Sequence, residues 1–272
     1  MRHGFGLRSS PARPGVRRAR QVHGARVVCA DQDGDLDLYV ANVSRSNEDG
    51  EPRNAPNNLW RNNGNGTFTD VAQVAGIDCA GAASTGVAFF DADDDRDLDL
   101  YVINQGSRNR LFLNDRVGRY TDATERFPEL ADAGPGLGAV LGDVNEDGEQ
   151  DLLVLEGKEP PRLFLRTGRE RFEEDPAFRE AARATGGAVG GLMGDLDLDG
   201  DLDLVLLATD SANGTADRIF MNRGGGRFDP PVILGAERSG APQARGALAA
   251  DLDGDGMLDL LVARAGAPPE LW

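Results

Sequence analysis

Histidine, cysteine and lysine are nearly missing from this chain of 272 residues, and each shortage excludes a class of chemistry. The two histidines, His3 and His23, both precede residue 29, so no Ser-His-Asp or Cys-His group can be assembled in the remainder. The two cysteines, Cys29 and Cys79, make neither a disulfide framework nor a zinc pattern. Cys79 reads as a small buried hydrophobe rather than as half of a bridge to Cys29. No apolar run is long enough to span a bilayer, so no direct membrane insertion is expected. No glycine-rich phosphate loop opens a helix. Lys158 is the sole lysine, and Asp and Glu (46) outnumber Lys and Arg (29), giving a net charge of −17. That balance argues against nucleic acid and anionic membranes as partners. With 40% hydrophobic residues there is still enough for a core.

The one basic stretch is residues 1–28, which hold seven arginines and no acid; the first acid is Asp31. No apolar segment follows the basic start, so no export signal is visible there. The segment reads as an irregular N-terminal arm.

From Cys29 onward the chain repeats itself, and the acids lead the repeat. Asp195, Asp197, Asp199 and Asp203 stand at relative positions 1, 3, 5 and 9 of a loop, with Gly200 at position 6. Asp251, Asp253, Asp255 and Asp259 with Gly256 repeat the pattern. Asp143, Asn145, Asp147 and Asp151 keep it with an amide oxygen at position 3. Asp91, Asp93, Asp95 and Asp99 are complete, but Arg96 takes the glycine's place. The first loop offers Asp31, Asp33 and Asp37. It aligns either with Cys29 at position 1 or with a two-residue deletion that puts Asp31 there. So many carboxylates in nine residues call for a hard divalent cation, and Ca²⁺ accepts about 6–8 oxygen ligands in a forgiving geometry. The competing reading of each loop is an acidic turn without a tightly held ion. The loops occupy 29–37, 91–99, 143–151, 195–203 and 251–259.

Each loop is followed by an apolar run and then by a Leu/Ile-aromatic pair: Leu59-Trp60, Leu111-Phe112, Leu163-Phe164, Ile219-Phe220 and Leu271-Trp272. A further aromatic stands eight residues on, at Phe68, Tyr120, Phe172 and Phe228, and these read as core between repeats. A glycine precedes each loop, at Gly24, Gly86, Gly138, Gly190 and Gly246. Units of about 52 residues therefore hold four short apolar runs with turn signals between them, such as Asn62-Asn-Gly-Asn-Gly66. Four antiparallel strands per unit, stacked in series, describe an all-β propeller blade. The glycine suits the innermost strand, where blades crowd the axis.

Asn57-Asn-Leu-Trp-Arg-Asn-Asn-Gly-Asn-Gly-Thr-Phe-Thr-Asp-Val-Ala72, with Asp33-Gly-Asp-Leu-Asp-Leu-Tyr-Val-Ala-Asn42, resembles the FG-GAP/VCBS repeat family, in the branch of the cartilage acidic protein and ASPIC/UnbV proteins. The resemblance covers about residues 29–272. It implies a Ca²⁺-binding propeller, extracellular or at the cell surface or periplasm, in a class whose members often have seven blades. Five loops are present, and the last unit stops at Glu270-Leu-Trp272 inside its third strand. The expectation is therefore an open arc cut from a longer seven-bladed protein, rather than a five-bladed ring closed by residues 4–8.

The leading function is a non-enzymatic, Ca²⁺-stabilised binding or adhesion scaffold. Its partner would be a protein or glycan on one propeller face. The insertions Asn42–Pro56 and Thr209–Asp217 are the candidate contacts. The alternative is a carbohydrate-active propeller, a lectin or a polysaccharide lyase or hydrolase, which needs an unrepeated cluster of Arg, Tyr and carboxylates. None is visible. Asn42-Val-Ser, Asn65-Gly-Thr and Asn213-Gly-Thr match the glycosylation sequon.

Overall fold

The computed structural model describes residues 22–43, 45–46, 52–53, 55–132, 134, 136–209, 216–234 and 243–272. The first sheet contains β1 (Val22–Val28) and β2 (Asp37–Asn42). A small ribbon of β3 (Arg45–Ser46) and β4 (Pro52–Arg53) interrupts it, and β5 (Asn58–Asn62) and β6 (Phe68–Asp70) complete it. The second sheet is β7 (Ala83–Phe90), β8 (Asp99–Gln105), β9 (Arg110–Asn114) and β10 (Tyr120–Asp122). In the third sheet stand β11 (Gly136–Gly142), β12 (Asp151–Glu156), β13 (Arg162–Gly168) and β14 (Arg171–Glu174). The fourth is β15 (Ala188–Gly194), β16 (Asp203–Ala208), β17 (Arg218–Phe220) and β18 (Val232–Ile233). Three strands form the last: β19 (Ala244–Ala250), β20 (Asp259–Arg264) and β21 (Glu270–Leu271).

All pairings are antiparallel meanders, as the repeat predicts. The position-9 acid opens the second strand of every sheet. The first sheet begins at Val22 and so takes in the end of the basic segment; residues 1–21, with the postulated closing strand 4–8, lie outside the described residues.

Successive sheets stack through their first strands, β1 on β7, β7 on β11, β11 on β15 and β15 on β19. Among the described residues β19 does not return to pack on β1 in that way. The second strands lie between neighbouring sheets, and β12 and β16 are buried along their whole length. That explains their unbroken apolar runs, Leu152-Leu-Val-Leu155 and Leu204-Val-Leu-Leu207, where alternation would mark a solvated face.

The five inner glycines do two things. Each closes a β-bulge, since register shifts fall at Val22/Gly24, Ser84/Gly86, Gly136/Gly138, Ala188/Gly190 and Ala244/Gly246. Crowding at the axis holds for two of them. A Cβ on Gly86 would stand 2.9 Å from the Gly138 Cα, and one on Gly24 would stand 3.2 Å from the Gly86 Cα. A Cβ on Gly246 would meet nothing within 4 Å.

Short helical turns follow three of the fourth strands: α1 (Ala72–Ala75), a 3₁₀ turn (Thr124–Arg126) leading into α2 (Pro128–Ala131), and α3 (Pro176–Ala182). Asp175 caps α3 by accepting from the Ala177 and Phe178 amides. Among the described residues no helix is long and apolar enough to cross a membrane.

Three of the repeat's aromatics differ from the rest. Phe172 is buried and Phe228 packs into the third cluster, but Phe68 is 51% exposed. Trp60 and Trp272 are likewise exposed, whereas Phe112, Phe164 and Phe220 are buried. Phe112 faces back into the first sheet's core, and Phe164 and Phe172 reach back to the second's. Phe68 and Trp60 belong to the first sheet, which has no described sheet before it to cover them.

Candidate metal loops

The five acidic loops join the first and second strands and share one construction. The position-1 carboxylate folds the loop over itself. In the fourth loop Asp195 Oδ1 accepts from the Asp199 amide at 3.1 Å and Oδ2 from the Gly200 amide at 3.1 Å. Asp143 holds the Asp147 and Gly148 amides in the same way, and Asp91 the Asp95 and Arg96 amides. The position-5 carboxylate accepts from the position-7 amide, as in Asp199 with Asp201 and Asp255 with Met257.

Position 6 is left-handed throughout: φ is 91° at Gly34, 89° at Gly148, 100° at Gly200 and 91° at Gly256. Arg96 adopts the same conformation at φ 72°, against its steric preference. Position 4 is left-handed as well, at Gln32, Asp94, Glu146, Leu198 and Gly254. The sequence signals that second bend only through Gly254.

This geometry decides the register of the first loop. The Ala30 amide donates to Asp37 Oδ2 at 2.9 Å, and the Gly34 amide points at Cys29 Sγ at 3.4 Å. These are the position-2 and position-6 contacts of the other loops, so Cys29 holds position 1.

Acid oxygens converge in three loops. One ligand atom from each member lies within 4.8 Å of the others in Asp91/Asp93/Asp99, Asp195/Asp197/Asp199 and Asp251/Asp253/Asp255. Cys29/Asp31/Asp33 gather in the same way. In the third loop the Asn145 amide donates to Asp147 Oδ2 at 3.0 Å. Asp93 Oδ1 is buried without any partner, which fits a cation in the second loop. All-oxygen donor sets in the second, fourth and fifth loops match a hard divalent ion; the thiol of the first matches it poorly.

Position 9 stands apart. Both oxygens of each of four of these acids are taken by backbone. Asp99 Oδ2 accepts from the Ala92 amide and Oδ1 from the Asn114 amide, both at 2.8 Å. Asp37, Asp151 and Asp203 each make the same pair of contacts, with Asn62 and Arg166 on their third strands and Asn222 just past β17. All four side chains are buried. The acid ties loop entry to the third strand whether or not an ion is present. Burial pushes the Asp99 carboxyl up to about 7 and that of Asp151 up to about 6, against the two amide contacts on each. Burial also raises Asp93, Asp203 and Asp31.

One set of functional residues was missed in the sequence reading. Two residues past the anchor aromatic stand Asn62 and Asn114 at the ends of β5 and β9, Arg166 within β13 and Asn222 just beyond β17. Three of these reach the preceding loop: Asn114 Nδ2 donates to the Ala30 carbonyl at 3.0 Å, Asn222 Nδ2 to Val144 at 2.7 Å and Arg166 to Asp91 at 2.8 Å. The recurrence of Asn at that offset was the available signal.

The sequon at Asn42 is engaged internally, for its amide donates to the Pro56 carbonyl and Asn58 Oδ1. Asn65 lies in the exposed turn, bonded to Thr67, and Asn213 is outside the described residues. Cys29 and Cys79 are both free thiols. Of the two insertions, residues 44, 47–51, 54 and 210–215 lie outside the described residues.

Four overlapping stretches, residues 30–102, 91–154, 143–206 and 195–262, match the FG-GAP-like repeat family. Cartilage acidic protein 1 of Xenopus tropicalis is 33% identical over 167 residues, covering 55% of this chain and 25% of that protein. The Homo sapiens protein of the same name is 31% identical over 248 residues, covering 88% of this chain and 37% of its own length. The chain therefore spans well under half of these relatives. The V. cholerae biofilm matrix protein Bap1 superposes with a TM-score of 0.51 at 15% identity, over 89% of this chain and 35% of that one. That is a likeness of fold alone.

Proposed function

The chain belongs to the FG-GAP-like repeat family, and from that premise we propose that it is a Ca²⁺-stabilised β-propeller scaffold that binds a partner outside the cell without catalysing a reaction. The observation that carries this reading is the gathering of acid oxygens in the same loop of the second, fourth and fifth sheets. Asp91, Asp93 and Asp95, then Asp195, Asp197 and Asp199, then Asp251, Asp253 and Asp255 would hold the ions at positions 1, 3 and 5. Asp143, Asn145 and Asp147 offer a weaker set, and Asp31 and Asp33 the weakest. Asp37, Asp99, Asp151, Asp203 and Asp259 support the cage from position 9, and Asp99 alone of these contributes an oxygen to a gathered set. A bound divalent ion would neutralise carboxylates that otherwise repel each other across a few ångströms.

The partner, a protein or a glycan, would dock on the face carrying the connections between second and third strands, where the β3–β4 ribbon stands. Relatives named for cartilage and an acidic character support an extracellular setting.

Two measurements test this. Thermal unfolding in EDTA and in millimolar Ca²⁺ should differ, because an ion bound only by the native state adds about 2.7 kcal/mol per site at a hundredfold excess over Kd. An unchanged midpoint would end the calcium reading. A glycan array beside a pull-down, each with and without Ca²⁺, tests the binding role; turnover of a polysaccharide would replace it with the enzymatic alternative.

A further inference from the structure

The first two sheets meet differently from the others. In each of three sheets the chain turns after its fourth strand at an amide bonded to the third-strand leucine: Val71 to Leu59 at 2.8 Å, Ala123 to Leu111 at 2.9 Å, Asp175 to Leu163 at 2.8 Å. Positions counted from these amides therefore correspond. Four residues on from Ala123 is Phe127, which meets Phe172 of the next sheet with ring centroids 6.2 Å apart. Three on from Asp175 is Phe178, which meets Phe228 at 5.5 Å. Counted from Val71, those places are Ala75 and Val74, and Val74 is 92% exposed. No aromatic wedge fills the first junction.

A cavity of about 410 Å³ remains there, with Leu59, Val71, Ala75 and Val117 as apolar wall. Tyr120 replaces the phenylalanine of the later sheets, and its hydroxyl is buried without a partner. Arg61 and Arg119 complete the lining; both are exposed, and among the described residues neither joins an ion pair. The two acids on the wall are already engaged. Asp37 accepts from the Ala30 and Asn62 amides, and Asp31 accepts from the Asp33 amide and gathers with Cys29 and Asp33. Both acids keep their charge, and Arg61 and Arg119 offset it and supply the cavity's cationic side chains.

We propose that this cavity binds a small amphipathic anion, an aromatic carboxylate. Its ring would lie against Leu59, Val71, Ala75 and Val117. Arg61 and Arg119 would meet the carboxylate. The size suits such a ligand, since small-molecule pockets begin at about 300 Å³. Asp31 of the first acidic loop is part of the lining, and the oxygen sets of the second, fourth and fifth loops lie outside it.

Fluorine NMR of para-fluorophenylacetate with the full chain in millimolar Ca²⁺ tests it. Saturable line broadening is expected, and the neutral isostere para-fluorobenzyl alcohol should bind about tenfold more weakly, as for loss of a charge-assisted contact. The surface double variant Arg61→Ala/Arg119→Ala should bind the acid no better than wild type binds the alcohol. Ala75→Phe, which restores the wedge, should abolish binding and raise the unfolding midpoint. Absence of saturable binding to wild type, equal binding of acid and alcohol, or undiminished binding by the arginine double variant would overturn the proposal. If Ala75→Phe fails to fold, the arginine variant and the alcohol still decide.

Discussion

The second and fourth loops carry the same four acids at the same four positions, yet they sit in different electrostatic settings. In the second, Asp97 at position 7 is buried and held by Arg116 at 2.7 Å and by Gln32 of the preceding loop at 2.8 Å. Its position-9 acid is pushed up to about 7, and Asp93 keeps an orphaned oxygen. In the fourth, Asp201 at position 7 meets Glu146 of the preceding loop, an acid against an acid, and the Glu146 carboxyl is raised by that contact. Arg223 lies 3.3 Å from Asp197 and relieves the cluster from outside. The lesson is that a shared ligand pattern fixes the cage but not its need for a cation. Neighbouring loops and third strands set that need.

The largest effect should come from the part the two loops have in common. Asp99→Ala and Asp203→Ala each strand two backbone amides, at a cost of about 2–5 kcal/mol in denaturant unfolding. A difference much above about 1 kcal/mol between them would show that position 9 is not an equivalent tie in both loops. Next is the response to metal. Asp93→Ala and Asp197→Ala should each remove about one site's share of the Ca²⁺-dependent stabilisation, near 2.7 kcal/mol at a hundredfold excess over Kd. Calorimetric titration should show one site fewer in each variant; an unchanged stoichiometry would break the assignment of position 3. Smaller still is backbone strain. Arg96→Gly should raise stability by up to about 1 kcal/mol, and Gly200→Arg should lower it by about as much. If Arg96→Gly destabilises, the Arg96 side chain matters more than its φ. A separate test is the pH dependence of chelated protein. The native Asp99 and Asp151 carboxyls hold their protons to about 7 and about 6, while the unfolded chain releases them near roughly pH 4. Metal-free stability should therefore fall as pH rises through that window, and Ca²⁺ should flatten the curve. A chelated protein whose stability rises between those limits would contradict the burial of these groups.

Much of this was legible in the sequence because period and chemistry coincide. The apolar run after each loop predicted a second strand, and Asp37, Asp99, Asp151, Asp203 and Asp259 open β2, β8, β12, β16 and β20. The role of that acid was less legible. A carboxylate that accepts amides and one that binds a metal are the same residue type at the same spacing, and only burial and partners separate them. The bend at position 4 escaped for a related reason, since Gln32, Glu146 and Leu198 are not residues that advertise a left-handed backbone. The third-strand Asn was visible as a repeat, but its partner lies in another sheet, 84 residues away for Asn114 and Ala30. The exposed Phe68 shows the limit of periodicity: the pattern marks a residue for burial without saying what covers it.

Those cross-sheet amides have a consequence for how such a chain grows. The matched units run from one acidic loop into the second strand of the following sheet, so the unit of sequence is out of phase with the sheet. The unit 91–154 presents the Asp91 carbonyl to Arg166 ahead of it and carries Asn114, which reaches back to Ala30. The copies 91–154 and 143–206 each bring a donor for their predecessor and an acceptor for their successor. A tandem duplication in that phase is spliced in at both ends at once, whereas an excision at sheet borders would sever a clasp on either side.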